Sequence, residues 1–357
     1  MRGNMRESTG ETAALGRRFA VLCSVLAVLT VLAGLISLGL GRFSRIGIFD
    51  IPQLLFHLLL APAGDTSADT NINVLIHLRL PRIIASIVVG ASLAMSGVAY
   101  QSLFSNPIAS SDTLGVTASA AFGAVLGMLL GIGTFWVKLT AFAFGCAVVM
   151  GVFVLASKLS QGRNLTVFLI LIGMIASSLF QALLSVLKFV ADPIDELPKI
   201  TYWLMGSLGN VQLKDLPFCI AFFIIGSAPL FLLRWRLNIL SLSDYEAKSM
   251  GENINGLRLT TVVCATLLTS SAVAMTGGIS WVGLVIPHIG RFIVGSDSRR
   301  LLPASALMGA LFLLIMDDIA RCATVYELPI SVLTSLFGSP VFFAILIKTR
   351  RQMSSEN

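Results

Sequence analysis

The feature that most limits the fold of this chain is a series of ten long apolar segments with few charged residues inside them. Most are close to the ~20 residues that an α-helix needs to cross a bilayer. They are 17–41, 83–103, 114–132, 135–156, 165–190, 216–233, 259–276, 279–294, 301–320 and 330–347. Only 12% of the 357 residues are charged, about half the share found in soluble domains. The sequence therefore predicts an all-α polytopic membrane protein, and not a water-soluble enzyme or a disordered chain.

An even number of spans puts both termini on one side of the membrane. Most of the 25 lysine and arginine residues fall on that side, which the positive-inside rule makes cytoplasmic. The expected parts are a cytoplasmic tail (1–16), a single transmembrane domain (17–348) and a second cytoplasmic tail (349–357). Within the domain we expect a periplasmic segment (43–80), an outer half-helix region (191–215) and a long cytoplasmic loop (238–258).

The sequence lacks the familiar catalytic patterns. It has no phosphate-binding P-loop, no GxSxG nucleophile elbow and no HExxH zinc motif. The five cysteines are scattered without a CxxC pair, and the three histidines lie on different segments, which favours buried, inert roles over metal binding. We expect no catalytic residue, metal site or cofactor in this chain, so any ATP-driven role needs a separate ATPase.

The cytoplasmic loop carries a signal for a helix start. Ser243 and Glu246 have the spacing of a capping box, in which each side chain bonds the backbone amide of the other residue. Gly251 follows as a left-handed helix stop. This pattern predicts a short helix outside the membrane. The loop alone leaves open whether that helix is a plain connector or a docking element for a partner protein.

Three arginines lie at the outer ends of spans, against the positive-inside rule: Arg79, Arg82 and Arg321. They could snorkel to lipid headgroups, and Arg321 could pair with Asp317 or Asp318 one turn earlier. A guanidinium group also suits bidentate contact with a carboxylate of a partner protein. Both interpretations stay open on the residues alone.

Two breaks on the inner side and one polar stripe are candidate parts of a transport pathway. Asn106–Ile108 contains the proline that ends the second span, and Asn164–Leu165 starts the fifth. Polar residues on one stripe of a membrane helix face a cavity or another helix. The fifth span has such a stripe in Ser178, Gln181 and Ser185. Ordinary turns and helix–helix hydrogen bonds would explain the same features.

Several short blocks, in order along the chain, resemble the FecCD-type permeases of bacterial ABC importers for iron–siderophore complexes, haem or cobalamin. They are LRLPR (78–82), GASLAMSG (90–97), SNPIA (105–109), YWLMGSL (202–208), GLVIPHIGR (283–291), RLLP (300–303) and ELPI (327–330). One departure is the pair Asp317-Asp318, where the family more often has a single acid. The resemblance implies the type II ABC importer architecture, with about ten helices in each of two permease subunits, two cytoplasmic ATP-binding subunits and a periplasmic or lipid-anchored substrate-binding protein.

The resemblance also assigns roles. It implies that Arg79, Arg82 and Arg321 dock the substrate-binding protein. The cytoplasmic gate would comprise Asn106, Ile108, Asn164 and Leu165, and the pathway lining Ser178, Gln181 and Ser185. Coupling to the ATPase would fall to Ser243, Asp244, Glu246, Ala247, Met250 and Gly251.

The implied protein is a multi-pass subunit of the bacterial cytoplasmic membrane, paired with a second copy of itself more readily than with a related permease. Its implied cargo is a metal chelate, foremost a ferric siderophore. Haem, cobalamin and molybdate or tungstate are alternatives within the same architecture. An ion-driven secondary transporter is an alternative of another class, although such a transporter would require acidic residues deep within several spans.

Overall fold

The computed structural model of the protein describes residues 2–40, 73–161, 164–242, 244–324 and 326–355. Within these residues all regular structure is helical. The α-helices are α1 (Arg2–Gly39), α2 (Leu80–Leu103), α3 (Val116–Leu129), α4 (Thr134–Ser160), α5 (Leu165–Val190), α6 (Glu196–Leu204), α7 (Leu216–Leu232), α8 (Asp244–Ser249), α9 (Ile254–Thr276), α10 (Val282–Val294), α11 (Ser298–Cys322) and α12 (Ile330–Ser355). Ten of them match the ten predicted spans, while α6 and α8 are short additional helices.

Among the described residues, seven helices are long and apolar enough to cross a membrane: α1 from Gly16, α2 with the π-helical turn before it, α4, α5, α7 with the 3₁₀ turn before it, α9 and α11. The helices α3 and α10 have 14 and 13 residues, about 20 Å at 1.5 Å per residue, short of a ~30 Å hydrocarbon core. Each follows irregular backbone. A 3₁₀ turn and the left-handed Gly115 precede α3, and Gly277 and Trp281, both with positive φ, precede α10.

The centre of the bundle is formed by α2 and α9. In the most apolar 18-residue stretch of each helix, 83% of the residues of α2 and 78% of those of α9 are buried inside the protein. The corresponding figures for α1 and α5 are 6% and 11%, so these helices face outward. Around α2 pack α7, α9, α10 and α11. Small residues allow this close packing: Gly90 of α2 lies against Gly309 of α11, and Gly97 lies against Gly283 of α10.

The segments expected from the sequence can be placed on this fold. The residues expected as a tail, 1–16, are helical from Arg2 and continuous with α1, whose apolar part starts at Gly16. The expected periplasmic segment lies mostly outside the described residues, and its described end is helical from residue 73. The half-helix expected within 191–215 is present as α6. The predicted cytoplasmic helix is present as α8, and Gly251 has the expected left-handed backbone with φ +77°. Ser243 of the proposed capping box lies outside the described residues.

Candidate functional site

A network of charged side chains surrounds the start of α2. The Arg82 Nε lies 2.8 Å from Oδ1 of Asp317, and its Nη1 lies 2.7 Å from Oε1 of Glu327. Asp317 is fully buried and the Arg82 side chain is 7% exposed, whereas the Glu327 side chain is 42% exposed. The π-helical turn and Pro81 in the first turn of α2 position Arg82. The network thus runs from the interior of the bundle to its surface at Glu327.

A second arginine extends this network to α1. The Arg321 Nε is 3.6 Å from Oδ2 of Asp317, and its Nη2 pairs with Asp318 and donates to Oγ of Ser37. The Ser37 hydroxyl in turn donates to Asp318 at 2.6 Å. Nearby, Arg79 donates to the carbonyl oxygen of Leu38. Because buried charges are tolerated when they are paired and hydrogen-bonded, these contacts fix the end of α1 against α11.

The burial of the arginines corrects one part of the sequence expectation. Arg79, Arg82 and Arg321 were expected to present their guanidinium groups to a partner, but they are only 4%, 6% and 8% exposed. The carboxylates of α11 and Glu327 pair with Arg82 and Arg321 inside the bundle, whereas Arg79 donates to the carbonyl oxygen of Leu38. The pairing interpretation therefore describes Arg321 correctly. The docking role stays a prediction, and the network member that a partner can reach is Glu327.

The first of the two inner breaks forms a turn directly beside the loop 238–258, called the coupling loop below after the role that the family resemblance implies for it. After α2 ends, Oδ1 of Asn106 accepts a hydrogen bond from the amide of Ile108 at 3.0 Å. Ser105, with φ +48°, donates from its hydroxyl to the carbonyl oxygen of Leu240 at 3.2 Å. Ile108 is 57% exposed, and its gate role stays a prediction. This loop is therefore tied to the backbone that leads to α8.

The second inner break differs from the first. Asn164 adopts a left-handed conformation (φ +51°) directly before α5, without a capping bond from its side chain. Leu165 is 6% exposed and packs in the main apolar core with Leu169. The Leu165 side chain thus anchors the start of α5, and the gate role of this break stays a prediction.

The polar stripe of α5 faces away from the bundle. Ser178, Gln181 and Ser185 are exposed. The amide of Gln181 donates to the Ser177 hydroxyl at 3.1 Å, and the Ser185 hydroxyl donates to the carbonyl oxygen of Gln181 at 2.9 Å. The recorded bonds of Gln181 and Ser185 thus lie within α5 and not to a neighbouring helix. An outward polar stripe on an otherwise apolar helix fits a pathway-lining face.

The coupling loop presents one short helix on a fixed base. Ala247 of α8 is 1% exposed and packs against Ile239 and Ile254. Glu246 of α8 and Met250 directly after it are exposed. The loop is thus held by its small apolar core while its outer face stays accessible. Of the other residues implied in coupling, Asp244 starts α8 and Gly251 ends the turn after it.

The base of the coupling loop is clamped to α11. The Asn238 amide donates to Oδ1 of Asp297 at 2.8 Å, and the amide of Ser298 donates to Oδ1 of Asn238 at 2.8 Å. A further ion pair at 3.4 Å joins Arg236 to Glu252 across the loop. Movement of this loop is therefore linked to the start of α11, whose other end carries Asp317.

The clamp at Asp297 gives a prediction for pH dependence. Burial raises the pKa of Asp297, but hydrogen bonds from the Arg299 amide and Asn238, with the charges of Arg299 and Arg300, lower it below the usual value. Such a carboxylate adds stability above its unfolded pKa of about 3.9, and this stability is lost as pH falls through the folded pKa. Asp297→Ala should therefore cost about 1 kcal/mol at pH 7, and this cost should disappear in strong acid.

Thermal unfolding of wild type and variant at pH 7 and near pH 3 measures this difference. Asp195→Ala is the control, because Asp195 is an exposed helix-start residue whose side chain makes no capping bond. A cost for Asp297→Ala that is equal at both pH values would contradict the ionised clamp.

The described residues contain no group of three histidine, cysteine, aspartate or glutamate side chains that could hold a metal ion. His288 packs instead against the rings of Phe292 and Phe342, with centroids 5.7 and 5.4 Å away. His57 lies outside the described residues.

The sequence profile of the FecCD transport family matches residues 29–348. The molybdate import system permease protein MolB of Haemophilus influenzae is 39% identical to this chain, covering 91% of it and 95% of that protein. The "Probable iron chelatin transport system permease protein" of Helicobacter pylori is 37% identical, covering 93% of this chain and 97% of that protein.

A solved inward-facing structure of a metal-chelate type ABC transporter superposes with a TM-score of 0.80 at 37% identity, covering 92% of this chain and 99% of that one. Sequence and fold therefore agree over most of the chain. With the α8 loop, the outward stripe of α5 and the helical bundle in place, the chain belongs to the FecCD transport family, whose members are transport subunits of ABC transporters and not enzymes.

Proposed function

We propose that this protein is the permease subunit that forms the translocation pathway of an ATP-driven importer for a metal chelate, foremost a ferric siderophore. The observation that carries the proposal is the coupling loop, in which α8 is fixed by buried Ala247 while Glu246 and Met250 remain exposed. An exposed helix that is anchored on a buried apolar core is suited to transmit a conformational change from an ATPase to the membrane helices. Membership of the family supports an ATPase and a substrate-binding protein as partners.

The finer assembly is also part of the proposal. Two copies of this chain surround one pathway, with the exposed polar stripe of α5 turned toward it. Two ATP-binding subunits lie below α8 and bind the ATP, so this chain has no cofactor of its own. Both termini and α8 are cytoplasmic, the start of α2 is periplasmic, and the assembly lies in a bacterial inner membrane.

The cargo class follows from the likeness to permeases named for chelates and for molybdate. Haem, cobalamin and molybdate or tungstate are the alternatives within the same architecture. Transport by proteoliposomes that hold this permease, its ATPase and its binding protein, offered a panel of these cargoes, tests the proposal. Uptake that needs ATP supports it, whereas uptake driven by a proton gradient without the ATPase would replace it with the secondary-transporter alternative.

Met250→Glu gives a sharper test of the coupling loop. Met250, directly after α8, is 57% exposed, and a carboxylate there would have to be buried without a partner in any apolar ATPase groove. We expect ATP-driven uptake to fall by about tenfold or more, with the ATPase binding less tightly to purified permease. Gln161→Glu, at the exposed inner end of α4, is the control and should transport normally. Equal uptake by both variants would remove α8 from the ATPase contact.

A further inference from the structure

A shallow groove lies where the end of α7 meets the start of α11, on the side of the molecule that carries α8. Its volume is about 630 Å³. The residues that line it are Phe231, Leu232, Arg234, Trp235 and Arg299. The clamp between Asn238 and Asp297 joins the two elements beside it. The groove thus lies at the base of the coupling loop, at the opposite end of α11 from Asp317.

An exposed apolar face of α7 leads into this groove. Ala221, Ile225, Ala228 and Leu232 follow the i, i+4, i+7 and i+11 spacing of one helical face, and all four are exposed. Leu232, where the face reaches the groove, is 80% exposed. Because α7 is one of the helices able to cross a membrane, an acyl chain can lie along this face with its headgroup at the groove.

Two arginines bring positive charge to the end of this face. Arg234 and Arg299 are both exposed, and the ion pairs found within the described parts of the chain include neither of them. They come from different elements, since Arg234 follows α7 and Arg299 lies in the first turn of α11. A guanidinium group matches the geometry of a phosphate through paired N–H donors. A phosphate group in the groove could therefore be held from both sides.

The acids near the groove leave this charge largely uncompensated. Asp297 accepts a hydrogen bond from Asn238 at 2.8 Å, and Glu252 forms its ion pair with Arg236 at 3.4 Å. With Arg300 and the two groove arginines, the region holds four arginines against these two carboxylates. A net charge of about +2 remains to attract an anion.

Trp235 indicates that the groove lies at the level of the lipid headgroups. It is 41% exposed and directly precedes a 3₁₀ helix, Arg236–Ser241, that leads toward α8. Tryptophan is enriched at membrane–water interfaces, because its ring is apolar and its indole N–H needs a polar partner. Apolar side chains of α7 thus lie on one side of Trp235 and arginines on the other, as the two halves of a phospholipid require.

We propose that this groove binds an anionic phospholipid, with Arg234 and Arg299 on its phosphate, Trp235 at the glycerol level and an acyl chain along α7. Basic pockets between membrane helices are typical sites for such headgroups. A free phosphate shares the headgroup chemistry but leaves the apolar face of α7 unused. One bound lipid would join the end of α7 to the start of α11 beside the clamp that holds the coupling loop.

The test uses the full-length permease in a neutral detergent, with dioleoylphosphatidylglycerol as the anionic probe and dioleoylphosphatidylcholine as the net-neutral one. Native mass spectrometry counts the lipids bound to each subunit during a titration and gives their Kd. We expect phosphatidylglycerol to bind more tightly, and its binding to weaken as salt rises from about 0.05 to 0.5 M. The Arg234→Gln/Arg299→Gln variant should raise its Kd by about tenfold or more, because each basic residue near an anionic lipid contributes roughly a factor of five.

The matched control is Arg17→Gln/Arg18→Gln, which removes two exposed arginines at the start of the apolar part of α1 and should leave the Kd of the tightest lipid unchanged. A second variant, Arg234→Lys/Arg299→Lys, keeps both charges and should stay within about threefold of the wild-type Kd. This variant separates a loss of charge from a folding defect.

Four results would overturn the proposal. Equal Kd values for the two lipids, or equal losses in the two glutamine variants, would mean that binding follows total surface charge and not the groove. A loss in the lysine variant as large as in its glutamine counterpart would remove the charge-based site. Displacement by inorganic phosphate at a similar Kd would make the groove a site for free anions. An unchanged lipid Kd in Arg234→Gln/Arg299→Gln, together with weaker ATPase binding, would assign the groove to an acidic segment of the ATPase.

Discussion

An Asp317→Ala variant is expected to lose about 3–5 kcal/mol of its free energy of unfolding, the cost of removing one partner from a buried ion pair. Asp317 is fully buried and faces both Arg82 and Arg321. Without it, Arg82 keeps only the half-exposed Glu327, and Arg321 keeps only Asp318. Two buried guanidinium groups would then share too little negative charge, and the ion pair that joins α2 to α11 would be lost.

The measurement is the fraction of monodisperse protein that survives heating in detergent, compared with Asp195→Ala. Asp195 is an exposed aspartate, so its change should stay within about 0.5 kcal/mol. A second variant separates charge from packing: Arg82→Met with Asp317→Leu removes both charges and should recover much of the loss, because apolar replacements of a buried pair are often neutral. An Asp317→Ala protein as stable as the Asp195→Ala protein would show that Asp317 is not a buried counter-ion.

The sequence predicted the spans well, because the length and apolar composition of a segment are local properties that decide whether it can cross a bilayer. It predicted the short helices less well, since the start of α3 depends on Gly115, whose left-handed turn (φ +77°) packs against the backbone at Ser177. Likewise, α10 starts where Trp281 adopts φ +73° beside Gly338. These starts are set by tertiary contact and have no counterpart in the local pattern of apolar residues.

The same distinction applies to the candidate site. The pairing of Arg321 with Asp318 was visible in the sequence, because the two residues are one helical turn apart. The pairing of Arg82 with Asp317 joins residues 235 positions apart, so their shared burial could not be predicted from either segment alone. Glu327 was noted only as part of the ELPI block.

The coupling segment illustrates an intermediate case. The glycine at 251 predicted the end of the helix correctly, because a left-handed stop is a local property of one residue. The clamp between Asn238 and Asp297 was not predicted, since it joins a loop to a helix start 59 residues away. Local signals thus placed α8 along the chain, while long-range hydrogen bonds determine what it is attached to.

Replacing Gly97 with leucine is expected to have the other large effect. Gly97 of α2 packs directly on the backbone of α10, where any Cβ would overlap the carbonyl oxygen of Gly283. Neither partner has a side chain that could turn away, so the two helices would have to separate. Gln101, one turn further along α2, would then lose its contacts with α10, including the hydrogen bond from Arg291. We expect a loss of more than about 3 kcal/mol, at or beyond the usual cost of overpacking.

The control is the same substitution at Gly151 in α4, which is exposed on the helix surface and where an added Cβ would meet no other atom within 4 Å. There, leucine should be neutral or stabilise the protein by up to about 1 kcal/mol, because glycine is a poor helix former. The two variants should therefore move the midpoint of thermal unfolding in opposite directions or, at the least, by very different amounts. ATP-driven uptake should fall in Gly97→Leu and stay normal in Gly151→Leu, because Gly97 contacts the start of α10 in the middle of the bundle. Equal behaviour of Gly97→Leu and Gly151→Leu would mean that α2 and α10 do not meet backbone to backbone.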